Sequence, residues 1–161
     1  MGLGVPRFTA YRFTACPATL RKIRRHTRST LQVWGLAACA EEVVAVVNEL
    51  VTNALRHGMP QRPSSDVGWL GIMHAANTVT CAVKDSSTAV PTCSPAHPLD
   101  PCGRGLCVVE ALSCSWGCSS VGREGKTVWA RLPTERASAG LPRSRPQGGE
   151  TADSFTGRSV S

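Results

Sequence analysis

The stretch Val47-Asn48-Glu49-Leu50-Val51-Thr52-Asn53-Ala54-Leu55-Arg56-His57-Gly58 decides how the rest of the chain is read. Val43, Val47, Leu50, Val51 and Ala54 recur at i, i+4, i+7, i+8 and i+11, an apolar stripe that predicts a helix from about Ala37 to His57. His57-Gly58 followed by Pro60 supplies the stop: a cation, a residue tolerant of positive φ, and a breaker. Glu49, Asn53 and His57 fall outside the stripe, at i, i+4 and i+8, and a straight α-helix puts them on one face spanning roughly 12 Å. A carboxylate can act as a general base. A carboxamide oxygen suits a hard cation such as Mg²⁺, which takes few protein ligands and leaves other positions to water and phosphates. Spacing alone favours a solvated polar face.

Outward from this helix the chain alternates short elements. Arg7–Phe13 reads as a strand, and Pro17 opens a helix on which Leu20, Ile23, Thr27 and Leu31 keep helical spacing. Val67–His74 and Val79–Asp85 read as a hairpin across Ala76-Asn77. Ser86–Cys102 holds Pro91, Pro95, Pro98 and Pro101 and no periodicity, which predicts a long functional loop. Leu106, Val108, Val109 and Leu112 mark a third helix, and Trp116–Val121 with Thr127–Leu132 a last strand pair. Helices segregated from mostly antiparallel strands predict an α+β fold, a two-layer α/β sandwich with the helices on one face. The expected domain is 1–133; residues 134–161 are Ala-, Ser-, Gly-, Pro- and Arg-rich, a composition that predicts a disordered tail.

The 161 residues contain no apolar run of the roughly 20 that a bilayer crossing requires, and the N-terminus lacks the apolar core of a signal peptide. A cytoplasmic protein is the expectation. The net charge of +7 is local: residues 1–30 carry seven basic groups and no acidic one, whereas residues 31–132 carry seven basic and eight acidic. The basic first helix has no interleaved aromatics, which disfavours nucleic acid as a partner and leaves a solvated face or an acidic protein. No pair among the eight cysteines has C-x2-C spacing, so free thiols are expected rather than a zinc site or disulfides. His26, within Arg24-Arg25-His26-Thr27-Arg28, lacks the following acidic residue of a phospho-acceptor histidine. There is no G-x4-G-K-[ST] phosphate loop.

The segment from Val47 to Gly58, with its E-x3-N-A-x2-H-G core, resembles the N-box of the histidine-kinase-like ATPase superfamily, and within it the small bacterial anti-sigma-factor serine kinases. Cys81-Ala82-Val83-Lys84-Asp85 resembles the strand end carrying the adenine-reading Asp. Gly103-Arg104-Gly105-Leu106 resembles the second glycine box, and Gly125-Lys126-Thr127-Val128-Trp129 the final strand. Four boxes in order over about residues 7–133 imply a Bergerat-type ATP-binding fold with ATP and Mg²⁺ as cofactors. The resemblance implies Glu49 as catalytic base and Asn53 as the Mg²⁺ ligand. It implies nucleotide contacts from Asp85, Gly103, Arg104, Gly105, Leu106 and Thr127, with segment 86–102 as a lid. It further implies a protein serine/threonine kinase of partner-switching type, whose partners are a sigma factor or an anti-sigma antagonist and which forms a homodimer. Ser86-Ser87-Thr88-Ala89 stands where the family has D-x-G-x-G glycines. That departure implies the alternative of a non-catalytic nucleotide-binding module that sequesters a protein partner.

Overall fold

A computed structural model describes residues 5–59, 67–87, 104–120 and 124–135. The first strand, β1 (Arg7–Thr14), leads into α1 (Thr19–Val33). A 3₁₀ turn at Ala37–Cys39 opens α2 (Ala40–Asn53), and a π turn at Ala54–Gly58 closes it. Then come β2 (Val67–Ala75), β3 (Thr78–Asp85), α3 (Arg104–Leu112), β4 (Ser115–Ser120) and β5 (Lys126–Pro133). The five strands form one antiparallel sheet in the order β1-β2-β3-β5-β4. The α+β sandwich expected from the order of elements is the fold observed.

Strand alternation fixes which side chains meet the helices. Leu70 and Ile72 of β2, Val79, Cys81 and Val83 of β3, and Val128, Ala130 and Leu132 of β5 are all buried on the helix-facing side. Trp69 and Met73 alternate with them and are exposed on the other side, with Phe8 of β1 paired opposite Met73. α2 occupies the middle of the helical layer, touching α1, α3, β3 and β5. That explains why Val44 and Val46 are buried as well as the predicted stripe: the helix is covered on three sides rather than one.

The predicted helix from Ala37 to His57 is three pieces. In the π turn, hydrogen bonds reach five residues rather than four. Ala54 and Met59, five apart, are both buried, while Arg56 and His57 between them are exposed. Glu49 and Asn53, by contrast, are half-buried on the regular part of the helix.

On α1, Thr19, Ile23, Thr27 and Leu31 face inward, and Arg21, Arg24, Arg25 and Arg28 line an open groove on the solvent side. Arg28 also pairs with Glu41 at the start of α2, at 2.7 Å in an exposed setting. His26 lies between these faces. Its ring sits 4.6 Å from that of Tyr11, and its Nε2 is buried without a hydrogen-bond partner among the described residues. Burial pushes its pKa below the ordinary 6.5. The unfolded chain therefore binds the proton more tightly, and the neutral ring's contribution to stability is full above pH 6.5. It is lost as pH falls below that value toward the depressed folded pKa. Melting temperature should drop as pH is lowered through the 6.5 region, and more steeply in wild type than in His26→Phe. Parallel pH profiles would contradict this assignment.

No disulfide joins the described cysteines; Cys39 and Cys81 are buried, and burial pushes the Cys81 thiol up to about 12. Cys93 and Cys102 lie outside the described residues, as does the expected tail beyond Glu135. No helix among the described residues is long and apolar enough to cross a membrane.

Candidate functional site

Glu49 and Asn53 stand one turn apart on α2 and are both half-buried, beside the buried Leu50 and Val51. The next helix is pressed against this pair. A Cβ added at Gly105, the second residue of α3, would lie 2.7 Å from Glu49 Oε2 and 3.9 Å from Glu49 Cβ. Glycine at this position lets the first turn of α3 meet the Glu49 carboxylate without displacing it. A helix N-terminus carries unpaired N–H groups and a partial positive charge, so the contact places an anion-attracting end beside a carboxylate and a carboxamide. Leu106, the next residue, is buried and anchors that turn. Arg104 begins α3, but its side chain, like Gly103, lies outside the described residues.

The second cluster lies at the end of β3. Asp85 is 2% exposed and faces the helical layer, following Val79, Cys81 and Val83 in alternation. Its register partner on β5 is Lys126, which is 4% exposed. Lys126 Nζ donates to Asp85 Oδ1 at 2.9 Å, and the backbone N–H of Ser87 donates to the same oxygen at 2.8 Å. A buried ion is tolerated only when its charge is matched and it is hydrogen-bonded, and this pair meets both conditions. The Ser87 contact is an Asx-type turn. Neither Ser86 nor Ser87 takes a positive φ, so the turn after Asp85 forms without the conformational freedom of glycine.

Gly125 does need that freedom. Its φ is +96°, and a Cβ there would fall 2.0 Å from the Asp85 carbonyl oxygen and 3.0 Å from Ser86 Cα. The start of β5 is thus seated directly on the end of β3.

Thr127 is not beside Asp85. It pairs with Lys84 and Ser119 on the sheet face away from the helices, while Lys126 takes the helix-facing position. The expected support of Asp85 by Thr127 is replaced by support from Lys126. The alternation signal was present in the sequence: with Val128, Ala130 and Leu132 as core positions, Lys126 is inward and Thr127 outward. The residue type misleads, because lysine is seldom fully buried. Of the expected lid, 86–102, only Ser86 and Ser87 are among the described residues.

The donor chemistry suits a magnesium-bound polyphosphate. Asn53 and Glu49 offer hard oxygens and neither thiolate nor imidazole. Among the described residues no group of three or more His, Cys, Asp or Glu could hold a metal ion alone, so such an ion would rely on phosphate and water oxygens. The missing Cβ at Gly105 lets the first turn of α3, with its unpaired N–H groups, come close to the Glu49 carboxylate.

The described residues form an antiparallel five-stranded sheet covered on one face by three helices, an α+β sandwich with the E-x3-N helix at its centre. The family described as histidine kinase-like ATPase domain matches the chain over residues 13–132. The chain belongs to that family. Domains of this kind bind ATP with Mg²⁺. No curated protein matches the chain.

Proposed function

We propose that the chain binds Mg²⁺·ATP between α2, α3 and the end of β3, and that it is a protein serine/threonine kinase of the anti-sigma, partner-switching type. The observation that carries the nucleotide reading is the contact of Gly105 with the Glu49 carboxylate, which couples the glycine box to the E-x3-N helix. In this reading Asn53 supplies a metal-ligating oxygen, and Glu49, one turn away, takes the proton from an attacking hydroxyl. In the same reading the backbone N–H groups of Gly105 and Leu106 would bind the phosphates, and Asp85 accepts a hydrogen bond from the 6-amino group of adenine. Bound Mg²⁺·ATP supplies an activated γ-phosphoryl group whose charge the metal partly neutralises.

The arginine face of α1 supports an acidic protein partner, a sigma factor or an antagonist of the anti-sigma factor; the reading also includes a cytoplasmic setting and a paired chain. The domain would span 1–133 with a tail from 134. The second reading, a module that binds nucleotide and sequesters a partner without phosphorylating it, is favoured by the serines that follow Asp85 in place of glycines.

Both readings require nucleotide binding. Calorimetric titration of the full chain with Mg²⁺·ATP should show saturable one-to-one binding. A flat titration would overturn both.

A further inference from the structure

Lys126 has no part in the nucleotide chemistry set out so far, yet it is one of the most buried polar groups in the described structure. A lysine ammonium is strongly hydrated, and taking it out of water is compensated only by an equally buried anion in good geometry. Asp85 is that anion, directly opposite in the β3–β5 register. Among the described residues, Lys126 Nζ and Ser87 N–H both meet the same carboxylate oxygen, Oδ1. A carboxylate held this way cannot exchange its two oxygens by rotation about χ2 without giving up two hydrogen bonds, one of them charge-assisted.

We propose that Lys126 is the positioning residue of the base-reading end of the site: with Ser87 N–H it holds Oδ1 of Asp85, so that Oδ2 is the fixed acceptor for the exocyclic amino group of the purine. The proposal rests on the nucleotide reading above and assigns Lys126 the support expected of Thr127. It predicts that base discrimination, rather than phosphate affinity, depends on this lysine. Inosine triphosphate is the appropriate probe, because it replaces the 6-amino donor with a carbonyl acceptor and leaves ribose and phosphates unchanged.

The experiment measures affinities of the full chain for Mg²⁺·ATP, Mg²⁺·ITP and Mg²⁺·tripolyphosphate in wild type, Lys126→Met and Lys126→Arg. Wild type should prefer ATP to ITP by about tenfold to hundredfold, the scale of one hydrogen bond to a charged group. In Lys126→Met the preference should collapse toward one with tripolyphosphate affinity retained, and Lys126→Arg should keep most of it. A folded Lys126→Met protein that prefers ATP as strongly as wild type overturns the proposal while leaving the nucleotide reading intact. Wild type that binds neither nucleotide overturns that reading, and the proposal with it.

Should Lys126→Met fail to fold, the wild-type protein still decides the matter. Lys126 is one of three lysines in the chain, and its buried ammonium can be followed by ¹⁵N NMR. That resonance should shift with Mg²⁺·ATP and not with Mg²⁺·tripolyphosphate. A response to neither, or an equal response to both, overturns the proposal.

Discussion

Glu49→Gln should leave Mg²⁺·ATP bound and lower phosphoryl transfer by roughly 10²–10⁴-fold, the usual contribution of a positioned general base. Glutamine keeps the length of the side chain and can fill the same space against Gly105, so the seat of α3 is preserved. What it loses is the capacity to take a proton. The measurement is γ-phosphate transfer under single-turnover conditions, with nucleotide affinity measured on the same samples. Equal inertness of wild type and variant would remove the kinase reading and leave the sequestering module. Loss of binding together with transfer would make Glu49 a binding group instead of a base.

Gly125→Ala should be the most damaging single-methyl change in the described structure. A positive φ alone costs a non-glycine residue roughly 1–2 kcal/mol. The methyl would also fall 2.0 Å from the Asp85 carbonyl oxygen, a backbone atom that cannot swing aside as a side chain can. Relief requires β5 to lift from β3, which would pull Lys126 from Asp85 and expose an uncompensated buried charge. Breaking such a pair costs about 3–5 kcal/mol. The variant should therefore melt far below wild type or fail to fold; a shift of only a degree or two would show that β5 is not seated as described. Gly105→Ala is a useful contrast. Its Cβ would meet the far end of a flexible carboxylate, so stability should change little while the position of Glu49 changes.

The fold was readable because its signals were redundant. The apolar stripe of α2, the alternation in β2 and β3, and the Ala76-Asn77 turn each pointed to the same two-layer arrangement, which the structure shows. The E-x3-N spacing was readable for a related reason: within a regular α-helix, residues four apart share a face whatever surrounds them. The π turn at Ala54–Gly58, between the buried Ala54 and Met59, left no comparable local signal. Lys126 escaped because its environment is made by a residue 41 positions earlier in the chain. The alternation along β5 marks Lys126 as inward, but nothing local names its partner, and residue type argues against a buried lysine. Reading the parity of β5 from Val128, Ala130 and Leu132 would have corrected both Lys126 and Thr127.

The central claim is that Asn53 and its helix form the metal-dependent part of a nucleotide site. It is tested most directly by calorimetric titration of ATP into the full chain with Mg²⁺, with Mg²⁺ removed by chelation, and into Asn53→Ala with Mg²⁺. The account predicts strong binding in the first case and large losses in the other two. Binding that is indifferent to both the metal and the substitution would contradict it.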